Sequence, residues 1–105
     1  MAFPKRIDAN QNEIVKGLRK LGYSVWITSS IGKGSPDIVI GAYNPNFGGL
    51  NILLELKDGS KCQSQRQLTP LEDAFHKSWR GQVDVVNDLD EAVALIGKYV
   101  KMGVT

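Results

Sequence analysis

A chain of 105 residues, 42% hydrophobic and 23% charged, has the makeup of a soluble globular protein with one modest core, which excludes a disordered or multidomain chain. No apolar run reaches membrane-spanning length, and the single cysteine, Cys62, excludes an internal disulfide and a cysteine-based structural zinc site. The net charge is only +2, but residues 1–36 set Lys5, Arg6, Lys16, Arg19, Lys20 and Lys33 against Asp8 and Glu13 alone, a basic bias that suits a phosphate-bearing partner.

In chain order, Asp8 is a candidate N-cap, with Gln11 at the capping-box position. Ile14, Val15, Leu18 and Leu21 continue as a helical apolar stripe that Gly22 ends. Residues 23–27 are rich in β-formers and predict a first strand. The glycine-broken loop 29–35 feeds a second strand over 36–42, and the turn-rich stretch 43–49 leads to a third over 50–57. A polar loop, 58–67, precedes a strong helix start in which Thr69 caps, Pro70 takes the first position and Glu72 the third. Leu71, Ala74, Phe75, Ser78 and Trp79 form the expected inward stripe of that helix. A fourth strand follows over 82–86, then a last helix capped by Asp88 with Glu91, with Ala92, Leu95, Ile96 and Tyr99 inward. The order α-β-β-β-α-β-α predicts one α/β (α+β) domain over residues 1–105, a mixed four-stranded sheet flanked by helices.

The third strand carries the chemistry. It is almost continuously apolar, as in a central strand buried on both faces, yet it ends in Glu55 and Lys57, which share one face. Charges there are costly unless paired. A hairpin centred on Asn46 sets Ala42 opposite Leu50 and Asp37 opposite Glu55. Opposed carboxylates destabilise a strand pair, and a divalent cation between them turns that repulsion into a binding site.

Pro36-Asp37 and Glu55-Leu56-Lys57, in these strand contexts and after a helix bearing Glu13, resemble the PD-(D/E)XK nuclease superfamily. The likeness is to its small single-domain members, of VRR-NUC, Holliday-junction resolvase-like or phage type, and it runs from about Ile7 to Tyr99. The resemblance implies a restriction-endonuclease-like core in which Asp37, Glu55 and the Leu56 backbone carbonyl hold Mg²⁺ or Mn²⁺. It implies that Lys57 orients the attacking water, helps remove its proton or offsets phosphate charge, and that Glu13 is a further ligand. Where such relatives often place Gln near the start of the helix after the motif, this chain has Leu71-Glu72-Asp73.

Each residue also has a plainer reading. Glu13 lies beyond the edge of its helix's apolar stripe and reads equally as a solvated acid, although Gly17 leaves room for a close approach. Lys33, with Lys16, Lys20 and Gln65, is a candidate DNA contact, against ordinary surface lysines and loop filler. Glu72 reads as a capping residue, His76 as a surface histidine, and Trp26 and Trp79 as core aromatics. The expected function is a divalent-metal-dependent deoxyribonuclease, an endonuclease of structure-directed or weak sequence specificity; the alternative is a nucleic-acid-binding protein with an inactive nuclease fold. DNA is the expected partner and no membrane is, and a homodimer would let a small protein cut two strands. Residues 1–6 lack the apolar stretch of a secretory signal, so a cytoplasmic location is expected, the host's if phage-encoded.

Overall fold

The computed structural model describes residues 9–101. The expected N-cap Asp8 and the basic pair Lys5 and Arg6 lie outside the described residues. Helix α1 (Ala9–Lys20) leads to strand β1 (Ser24–Ile27), a 3-10 turn (Ser29–Ile31), β2 (Ile38–Asn44) and β3 (Gly48–Leu56). A second 3-10 turn (Gln63–Arg66) precedes α2 (Pro70–Ser78), β4 (Asp84–Val86) and α3 (Leu89–Lys101). The fold is α+β, with strand order β1-β2-β3-β4, the first two pairings antiparallel and β3–β4 parallel. The parallel pairing follows from the connection, because two strands pointing the same way need a crossover, here the one that contains α2.

The β2–β3 register sets Ala42 opposite Leu50, as the sequence predicts, because Asn44 fixes the turn. Its side-chain oxygen accepts the Asn46 and Phe47 N–H groups at 2.7 and 3.1 Å, an Asx turn that closes the hairpin around Pro45. Even-numbered residues of β2 and β3, namely Ile38, Ile40, Ile52, Leu54 and Leu56, point to one face and are buried against Ile14, Val15 and Leu18 of α1 and Ala92 and Ile96 of α3. Each such side chain contributes about 1.5–3 kcal/mol through burial. A Cβ on Gly17 would stand 2.4 Å from Leu89 Cδ2, so Gly17 serves the close approach of α1 to α3 and not access to the candidate site.

Three expectations are corrected here. Leu21 is 59% exposed, because α1 stops at Lys20 and the chain reverses through Gly22 at φ 99°. Trp26 is 65% exposed: it alternates with Val25, which packs on the core, and so faces the side of the sheet opposite α1. Trp79, at the end of α2, is 46% exposed and stacks on Phe75 with ring centroids 5.3 Å apart. Among the described residues no helix is long and apolar enough to cross a membrane.

Candidate active site

Odd-numbered residues of β3 face away from α1 and α3, and Glu55 is therefore carried to the face that α2 meets. The paired β2–β3 ladder ends at Ile38–Leu54. One residue beyond, the Asp37 N–H also turns to the Leu54 carbonyl, at 3.0 Å, a bulge-like slip out of the regular ladder. That slip leaves the Leu56 N–H to be satisfied by a side chain, and Asp37 Oδ2 accepts it at 2.7 Å. Thr28 anchors the same segment: its N–H donates to the Asp37 carbonyl at 2.8 Å and its hydroxyl to the Pro36 carbonyl at 2.7 Å. Asp37 is thus held at the end of β3, 7% exposed, with its carboxyl beside that of Glu55. In an extended strand a residue's N–H and C=O point to the same edge, so the Leu56 carbonyl faces the Asp37 side too.

Glu55 is fully buried, and the carboxyl of Asp37 meets its own within hydrogen-bonding reach. Burial pushes its pKa up to about 10; the adjacent Asp37 carboxyl and then Glu72 add to the rise, and Lys57 opposes it. Lys57 is 8% exposed, and its Nζ donates to Glu72 Oε1 at 2.7 Å. Burial alone would lower the Lys57 pKa, but the hydrogen bond and charge of Glu72, backed by Glu55 and Asp37, hold it above its ordinary value. An ammonium held this way stabilises neighbouring negative charge.

Glu72 is more than a cap. Its Oε1 also accepts the Thr69 N–H at 2.9 Å, completing the capping box, so the start of α2 and the Lys57 head group share one carboxylate oxygen. Burial works against its ionisation, yet Lys57 and the Thr69 backbone N–H keep its pKa below the usual value. The face of α2 turned to the sheet is consequently Glu72, Phe75 and His76, whereas Leu71 is 62% exposed and Ala74 is also exposed. His76 is no surface histidine. Its Nε2 lies 3.7 Å from Glu55 Oε1, with the side chain 14% exposed. Apolar periodicity misses this stripe because its inward members are polar; the signal available was the spacing Glu72 to His76, one helical turn apart.

The remaining expected site residues are dispersed. Glu13 is exposed and lines a groove with Asn10, Asp58, Gly59, Asn87 and Asp88, a lining that includes neither Asp37 nor Glu55. Nearer the site, Asn10 Nδ2 donates to the Lys57 carbonyl at 2.6 Å, and the buried Gln11 donates to Ser29 Oγ at 3.3 Å. Lys16 and Lys20 are exposed on α1, roughly 9 and 15 Å along the helix axis from Asn10. Gln65 is exposed on the second 3-10 turn. Lys33 is exposed at φ 57°, between Gly32 and a buried Gly34 whose added Cβ would lie 2.2 Å from the Leu71 carbonyl oxygen. The loop that carries Lys33 therefore rests directly on the first turn of α2, beside the acid pair. Among the described residues no group of three or more His, Cys, Asp or Glu side chains is placed to hold a metal ion. No protein-family model, curated protein or solved structure matches the chain.

Proposed function

We propose that this protein is a divalent-metal-dependent deoxyribonuclease of the PD-(D/E)XK kind, an endonuclease acting with structure-directed or weak sequence specificity. The observation that carries the reading is Glu55, a fully buried carboxyl set beside a second buried carboxyl, Asp37, at the end of a central strand. Such a pair is unfavourable for the fold alone and suits a cation. Asp37 and Glu55, with the Leu56 carbonyl, would hold Mg²⁺ or Mn²⁺, and the all-oxygen donor set fits a hard cation. When bound, such an ion supplies Lewis-acid stabilisation of a phosphodiester and lowers the pKa of a water.

The protein's own part is positional and electrostatic. Lys57, fixed by Glu72 and kept cationic, places a positive charge against the phosphate oxygens as negative charge grows on them. Lys33 meets the DNA backbone from the neighbouring loop, where a phosphate contact orients the duplex without reading sequence. This reading brings with it DNA as the partner, a cytoplasmic location and a homodimer that cuts both strands. Its test is incubation of the purified chain with Mg²⁺ or Mn²⁺ and linear, nicked, flapped and four-way DNAs, beside Asp37→Asn and Glu55→Gln. The expected result is metal-dependent cleavage by the parent and none by either variant. Full cleavage by a folded variant, or none by the parent under all conditions, overturns it.

A further inference from the structure

The helices cover the two faces of the sheet unequally. α1 and α3 pack on the even-numbered side chains of β2 and β3. Directly paired residues share a face, so Trp26, its partner Val39 and Leu53 beyond form one row on the opposite side. Along β2 the same face then carries Gly41, between Ser24 and Asn51, and Tyr43, opposite Gly49. Trp26 is 65% exposed and Tyr43 72%. The open face of an antiparallel sheet is ordinarily polar, so two exposed aromatic rings on it mark a binding surface.

This face runs into the acid pair. Asp37 precedes Val39 by two residues and Glu55 follows Leu53 by two, each about 6.6 Å along its strand from the Trp26 row. On the other side of the row Tyr43 lies about 13 Å away, and Gly41, Ser24 and Asn51 between them raise no large side chain. Cations flank the row. Arg19 is exposed, and its Nη2 donates to the Val25 carbonyl at 3.0 Å, which sets the guanidinium against β1 beside Trp26. Lys33 is exposed in the loop that leads from β1 to Asp37. An aromatic floor with basic edges suits an unpaired nucleic-acid strand, whose bases stack on rings while its phosphates meet the cations. A duplex keeps its bases stacked inside and gains nothing from those rings.

We propose that this open face binds a single-stranded stretch of DNA, stacking one base on Trp26 and another on Tyr43, and leads an unpaired tail or flap to Asp37 and Glu55. The inference rests on the nuclease reading for what happens at the acid pair, though not for the binding itself. It gives the structure-directed specificity a cause, because a junction of duplex and single strand engages both Lys33 and the rings. The rival occupant is a second copy of the chain. The core of a dimer interface is apolar and closely packed, whereas here Gly41, Ser24 and Asn51 separate the two rings.

The test measures binding of the full chain, in chelator, to a blunt hairpin duplex and to the same duplex carrying a short oligo-dT tail. The parent should bind the tailed DNA on the order of tenfold more tightly, and Trp26→Ala should erase most of that advantage while leaving blunt binding unchanged. The chain has two tryptophans, so in Trp79→Phe the emission is that of Trp26 alone, and it should be quenched as the tail binds. No preference for the tail, a preference untouched in Trp26→Ala, or Trp26 emission indifferent to saturating tail overturns the proposal. So does a dimer that Trp26→Ala converts to a monomer in sedimentation, which would give the face to a second copy. Tail binding through Trp26 without cleavage in Mg²⁺ or Mn²⁺ upholds the surface and sinks the nuclease reading; cleavage of tailed DNA that ignores Trp26→Ala does the reverse. Should Trp26→Ala fail to fold, the Trp26 emission decides.

Discussion

Replacing Glu55 by Gln should stabilise the metal-free protein at neutral pH and abolish a pH dependence that the parent displays. The carboxyl titrates at about 10 in the fold and near its ordinary 4.5 when unfolded. Between those values the native state keeps a proton that the unfolded chain gives up, so folding stability falls as pH rises. The stability is full below about 4.5 and is lost progressively toward about 10. Each pH unit inside that window costs about 1.4 kcal/mol, so raising the pH from 5 to 7 removes up to about 3 kcal/mol. Against a total of about 5–15 kcal/mol for a domain of this size, that is a large share. The assay is urea unfolding followed by circular dichroism at pH 5, 6 and 7 in chelator. With an m-value near 1–2 kcal/mol/M, the parent midpoint should drop by roughly 1.5–3 M across the series. Glu55→Gln keeps the shape and one donor, carries no charge, and should show no such drop. Saturating Mn²⁺ should reverse the parent's trend, because binding requires the ionised carboxylate and grows stronger as pH rises. A parent midpoint constant from pH 5 to 7 in chelator, or a Glu55→Gln protein weaker than the parent at pH 7, would refute the reasoning.

Asp37→Ala should differ in sign from Glu55→Gln: it strips the acceptor from the buried Leu56 N–H and costs about 1–3 kcal/mol in the same unfolding assay, and a stabilised variant would contradict the hydrogen bond's role. Lys57→Ala should slow single-turnover cleavage by about 10²–10³ with little change in metal affinity, and the parent's rate should show no Lys57 titration through neutral pH; calorimetry finding metal binding lost would reassign the residue. Lys33→Ala, assayed in Ca²⁺, should weaken binding to all duplexes alike and flatten the slope of log affinity against log salt by roughly one, so a sequence-selective loss would make this loop a base reader. Gly34→Ala should cost about 2–3 kcal/mol in thermal unfolding, since φ is 81° and a Cβ would strike the Leu71 backbone; an unchanged melting point would mean that the loop and α2 part freely.

Much of the architecture was legible in the residues because it is locally encoded. The capping box at Thr69 and Glu72 formed as its spacing predicts, and Asp88 accepts the Glu91 N–H at 2.8 Å at the start of α3. The hairpin register followed from the turn, since one Asx turn at Asn44 sets every pairing along β2 and β3. The same register carries Asp37 to the end of β3, where the ladder slips and its carboxyl meets that of Glu55. Element ends were less legible: β4 begins at Asp84 and not at residue 82, because Gln82 spends its side chain on the Leu53 backbone.

What sequence by itself determined, then, is the order of elements and the meeting of Asp37 with Glu55, both set by periodicity and by one turn. Only the tertiary structure decided what α2 does. A helix's inward face is ordinarily found by its apolar stripe, but α2 turns Glu72 and His76 toward a strand end that is itself charged. Those residues gain from facing in only because Lys57 and Glu55, fifteen or more positions away in the chain, are already there to meet them. The same dependence explains why Trp26 and Trp79 proved exposed, and why Lys57 is cationic where a buried amine alone would lose its proton. Burial and charge pairing are properties of neighbours, and only the folded chain specifies who those neighbours are.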